Sequence, residues 1–115
     1  LELPQLKFVG GDTCAAFVYL QSDTDAGAAK SALWDQLGAT CWVVGLDELI
    51  EAGWVSSPSA AATVRYPEVF VLAKKAVAVY HREFSSPKSY NMAGHHGSIT
   101  PEELSIPLLK IGAWA

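Results

Sequence analysis

The apolar positions of this chain fall into short blocks whose spacing changes along the sequence. Residues 15–20 (AAFVYL) form an apolar and aromatic run that predicts a strand with a buried face. The polar stretch Gln21-Ser22-Asp23-Thr24-Asp25 ends that strand. It offers several N-cap side chains and places acids where a helix dipole favours negative charge. In 26–37, Ala26, Ala29, Leu33 and Leu37 recur at spacings of three, four and four, which predicts a helix with one apolar stripe. Gly38 stands where a left-handed C-terminal cap is expected. Cys41-Trp42-Val43-Val44 reads as a second strand, since β-branched and aromatic residues suit a pleated surface. A short helix over 47–52 (DELIEA) follows, acidic at its start and closed by Gly53, with Trp54 expected to fold back onto the core. Residues 56–63 (SSPSAAAT) are small and featureless, as in a surface loop. The runs 68–73 (EVFVLA) and 76–80 (AVAVY) are strand-like and separated only by Lys74-Lys75, which predicts a β-hairpin. At the N-terminal end, Gly10-Gly11 predicts a turn ahead of the first strand.

The resulting order is strand, helix, strand, short helix, strand, strand. It predicts an α+β fold: a small, mostly antiparallel sheet with helices packed on one face. The expected core is Phe17, Tyr19, Leu33, Leu37, Trp42, Val44, Val69, Val71, Val77 and Val79.

Composition narrows the picture further. The 115 residues fit one domain, and half of them are hydrophobic, enough for a real core. Twelve acids against eight bases give a net charge of −4, and no basic run exceeds Lys74-Lys75. The footprint of a nucleic-acid polymer binder is therefore missing. The apolar runs are too short for a membrane span, so no membrane partner is expected. Cys14 and Cys41 match neither a disulfide framework nor a zinc spacing and are expected to be small buried residues. The first residue is Leu, and nothing near it has the layout of a signal peptide, so a cytoplasmic location is expected. The chain begins as if cut from something longer.

The candidate chemistry lies late in the chain. Gly94-His95-His96-Gly97-Ser98 sets two imidazoles between glycines that let the backbone approach a ligand. Neutral imidazole is the commonest side-chain metal ligand, and neighbours on an extended strand face opposite ways, so one of the pair at most reaches a given metal. Thr100-Pro101-Glu102-Glu103 then carries an N-cap, a proline at the first helical position and a capping-box acid. The two acids are thus expected to start a helix and not to bind metal. Residues 106–111 (IPLLKI) read as a closing strand, confined to a sheet edge by Pro107. A metal site needs three or four ligands. His81 directly follows a strand and reads as a solvated surface residue, so the residues amount to half a site.

The string GHHGSITPEELSIPLL, 94–109, resembles the C-terminal signature of the type I phosphodiesterase/nucleotide pyrophosphatase family of the alkaline phosphatase superfamily. In that family a Gly-x-His-Gly motif supplies a metal-binding histidine, and a Pro-Glu-Glu-Leu helix start and an Ile-Pro-Leu strand follow in many bacterial members. Gly10-Gly11, AAFVYL, the following helix, Trp42-Val43-Val44 and Ala52-Gly53-Trp54 are similar to the segment that follows the family's Asp-His-Gly motif. The resemblance implies an alkaline-phosphatase-like C-terminal fragment. In it, 1–90 is an inserted α+β subdomain on the substrate side, and 91–115 carries the metal-ligand loop, a short helix and the closing strand.

The resemblance also implies a metal-dependent hydrolase of phosphate esters, with two divalent metals, zinc or a related ion, that stabilise attacking and leaving oxygens in an in-line displacement. His96 matches the metal ligand. His95 occupies the variable position and is the candidate for substrate contact. The nucleophile and the remaining ligands would lie upstream, in a catalytic core of the same polypeptide. No catalytic residue falls within these 115, which would hold metal only weakly and be inactive alone. Two other readings stay open: a non-catalytic α+β binding or interaction module, and a small metalloprotein using His81, His95 and His96 together.

Overall fold

The computed structural model describes residues 1–115 apart from 2, 60–65, 75–76, 82, 84, 93, 95–96 and 115. Four strands, β1 (Leu6–Asp12), β2 (Ala15–Leu20), β3 (Cys41–Gly45) and β4 (Val69–Ala73), form one sheet in the order β1-β2-β4-β3. Every neighbouring pair is antiparallel. Helix α1 (Ala26–Leu37) links β2 to β3, and α2 (Leu46–Glu51) follows β3 directly. Two single-turn helices, α3 (Pro87–Tyr90) and α4 (Pro101–Leu104), and a 3₁₀ turn (Gly112–Trp114) come later. This is the small α+β architecture expected from the pattern. Among the described residues no helix is long and apolar enough to cross a membrane.

Local chemistry sets the elements. Asp25 caps α1: its Oδ1 accepts from Gly27 N–H at 2.9 Å and Ala28 N–H at 3.3 Å. The apolar stripe then buries Ala29 and Leu33 and half-buries Leu37. β4 is central, paired with β2 through Val18↔Val69 and with β3 through Val43↔Val71, and all five of its residues are buried. One face of the sheet carries Ala16, Val18, Val43, Val69 and Val71 beneath α1. The other carries Ala15, Phe70 and Leu72, against which Phe17, Trp42, Val44 and Ile99 pack. Phe17 meets Phe70 edge to face at 5.4 Å.

Several expectations are corrected. Gly10-Gly11 is not a turn; both lie inside β1, and the turn is Thr13-Cys14, since Asp12 pairs with Ala15. Gly11 is held at φ 76°, where an added Cβ would sit 2.4 Å from the Ala15 carbonyl. Gly38 caps α1 in right-handed backbone (φ −59°) and not left-handed; glycine is required because a Cβ would strike Trp34 O at 2.6 Å. Gly53, by contrast, closes α2 at φ 81° as a helix-ending glycine should. Trp54 stays half exposed and does not fold back onto the core, while Leu46 and Leu49 of α2 pack on the second face. Helical cover is therefore not confined to one face.

The 76–80 hairpin does not form. Both edges of β4 are taken by β2 and β3, so 77–80 runs without strand pairing. Val79 is nevertheless buried, and its N–H donates to Thr13 O at 2.7 Å. Lys75 and Ala76 lie outside the described residues. In β2 and β3 the more deeply buried residues are Ala16, Val18, Leu20, Cys41 and Val43, one position out from the expected Phe17, Tyr19, Trp42 and Val44. A sheet covered on both faces weakens the alternation from which a buried face is read. The loop expected at 56–63 is irregular over 56–59, and 60–63 lie outside the described residues. The closing strand at 106–111 is absent: the segment has no regular secondary structure, with Ile106, Leu108, Leu109 and Ile111 78–87% exposed.

Candidate functional site

His95 and His96 lie outside the described residues, so the candidate site is built from what flanks them. Gly97 adopts φ 108°, a conformation open to glycine and costly for other residues. Its α-carbon abuts the β1–β2 turn: a Cβ there would lie 3.2 Å from Asp12 Cβ and 3.4 Å from Asp12 Oδ2. Ser98 is buried, and its hydroxyl donates to Ala73 O, the end of β4, at 2.5 Å. Ile99 packs on the second face of the sheet. The backbone immediately after His96 is therefore fixed to the sheet at three consecutive residues.

Glu103 fastens this turn from the far side. Its Oε1 accepts from Ser98 N–H at 3.1 Å, and its Oε2 accepts from the Thr100 hydroxyl at 2.7 Å. The Thr100 carbonyl in turn accepts from Glu103 N–H and Leu104 N–H. The expected capping box is not completed: the Thr100 hydroxyl caps no backbone N–H and instead donates to Glu103, whose carboxylate reaches the loop two residues before the N-cap. The Thr100 hydroxyl foremost, then the Ser98 N–H, holds the Glu103 carboxyl below its ordinary range.

The surroundings are acidic. Burial raises the Cys14 thiol above its ordinary range, and the charges of Glu103 and Asp12 push the same way. Two carboxylates therefore sit near the turn that follows His96. Asp12 also lines a cleft of about 220 Å³ with Gly11, Thr13, Val79, Ser85 and Ser86. Sequence reasoning did not single out Asp12. It lies 85 positions from Gly97 in the chain, and only the β1–β2 hairpin, itself hidden behind the Gly10-Gly11 pair, brings the two together.

His81 is half-buried, and its Nδ1 accepts from Glu83 N–H at 3.3 Å while Ser85 Oγ accepts from its backbone N–H. It shapes a tight turn and is not the solvated residue expected. Among the described residues no group of three or more His, Cys, Asp or Glu side chains is gathered for a metal. Asp12 lies against Gly97, and Glu103 is committed to Ser98, Thr100 and the Gly97 backbone. Among the described residues these donors do not make up the three or four that zinc requires. Comparison with protein-family models, curated proteins and solved structures finds no match for this chain.

Proposed function

We propose that this chain is the C-terminal portion of a metal-dependent phosphodiesterase/nucleotide pyrophosphatase-like hydrolase acting on phosphate esters. In this reading His96 is the one metal ligand it contributes and His95 faces substrate. The nucleophile and the remaining ligands come from an upstream core of the same cytoplasmic polypeptide. The observation that supports it most is the anchoring of 97–100. Loss of rotational freedom on binding is costly, and a ligand whose following backbone is already tied down pays less of it. Ser98 on Ala73, Ile99 on the sheet and Glu103 on Ser98 tie down the residues that follow His96. The acidic neighbourhood of Asp12 and Glu103 also favours a cation over an anion at this end of the sheet.

The test is zinc titration by calorimetry on the full-length polypeptide, wild type against His96→Ala. Loss of a ligand should weaken tight binding by more than the roughly 10–100-fold that follows loss of an outer-shell partner. Unchanged affinity would overturn the reading. It would favour instead a non-catalytic interaction module, for which the bare apolar segment 106–111 speaks.

A further inference from the structure

The sheet has two edges, and they are built differently. β1 carries the charged Lys7 at a register irregularity and the positive-φ Gly11, features that discourage pairing with another chain. β3, sequence CWVVG, carries no charge, proline or register shift, and its one strand partner among the described residues is β4. Such an edge is a template for an added strand. Helix α1 packs over β3, and between them lies a cleft of about 220 Å³ lined by Lys30, Ser31, Trp34, Asp35 and Val43.

The same chain carries a strand-like segment with no sheet. Residues 106–111 (IPLLKI) belong to no helix or strand, and their four aliphatic side chains are 78–87% exposed. We propose that this segment of one copy adds as a fifth strand to β3 of a second copy, with reciprocal exchange giving a two-fold dimer. Backbone polarity fits. Along a strand alternate residues turn their N–H and C=O groups to the same side. Ile106, Leu108 and Lys110 can then all face β3, while Pro107, which has no N–H, faces away. The cleft is lined by both Lys30 and Asp35; Lys30 is paired with Glu48, which leaves Asp35 to meet Lys110 of the segment. The side chains of Leu108 and Lys110 enter the cleft under α1. This dimer goes beyond the hydrolase reading and does not depend on His96.

The test is sedimentation equilibrium of the full chain from about 5 to about 500 µM, alongside Leu108→Glu, Asp35→Lys, Lys110→Asp and the last two combined. All three positions are at the surface or in the cleft, and circular dichroism checks that each variant is folded. The expected result is a concentration-dependent dimer that Leu108→Glu dissociates. Each charge reversal should weaken it about three- to tenfold, and the combined reversal should restore it. A monomer throughout the range, a dimer indifferent to Leu108→Glu, or charge effects that fail to cancel in the combined variant would each overturn the proposal. None of these results bears on zinc binding, and loss of the zinc site in His96→Ala would leave the dimer intact.

Discussion

Lys74 shows how one side chain closes several bonds at once. Its Nζ donates to Gly38 O at 2.7 Å and lies 5.2 Å from the Trp34 ring centroid and 6.0 Å from that of Trp42. It joins the C-terminal end of α1, where a cation is favoured, to two indole faces. Lys74→Met keeps the stem and removes the charge. It should cost about 1–2 kcal/mol in urea unfolding, with a change in tryptophan emission. A loss below about 0.3 kcal/mol would show the contact to be idle. Glu103 gives a pH-dependent case. Its folded carboxyl titrates below the ordinary 4.5, chiefly through the Thr100 hydroxyl and then the Ser98 N–H. A depressed folded value means the stabilisation is fully present above about pH 4.5 and fades as pH falls through the folded value. Glu103→Gln should therefore speed exchange of the Ser98 amide at pH 7 and make little difference near pH 2. Equal acceleration at both pH values would contradict that assignment. The approach of Asp12 to Gly97 was not legible in the sequence, because it rests on a long-range contact that no local pattern encodes.

At the scale of elements, legibility followed local chemistry. β2 and α1 have the expected bounds, since a polar stop, an Asp25 cap and a 3.6-residue stripe mark them unambiguously. β1 was hidden because paired glycines signal a turn more often than a strand. The 76–80 strand and the hairpin failed for a tertiary reason, the two occupied edges of β4. Position relative to β4 also explains the cysteines. Cys14 O accepts from Ala73 N–H on one side of that strand, and Cys41 pairs with Ala73 on the other. Two strand spacings, about 9–10 Å, separate them, beyond the about 7 Å limit of a disulfide. Both are buried and free. Ellman's reagent should react with neither in the folded protein and with both in denaturant; a fast-reacting thiol in the native state would contradict the placement. Core and terminus should also respond oppositely. Val71→Ala in β4 should cost about 2–3 kcal/mol. Leu109→Ala should stay within about 0.5 kcal/mol at concentrations where the chain is monomeric, and a large loss there would mean the segment packs against its own core.

At the scale of the whole molecule, a compact domain of this length has a radius of gyration of about 13 Å, whereas this chain has 16.3 Å. The sheet is covered on both faces, while the C-terminal segment leaves its apolar side chains exposed. On the proposed reading the anchored residues 97–100 belong to one part of a site, and activity should appear only with the rest. The most direct measurement is hydrolysis of bis-p-nitrophenyl phosphate in the presence of zinc. It compares the 115-residue chain, the full-length polypeptide and the full-length His96→Ala variant. The account predicts no turnover above buffer for the first, metal-dependent turnover for the second, and a loss of about 100-fold or more for the third. Turnover by the 115-residue chain alone, or a full rate in the His96→Ala variant, would contradict it.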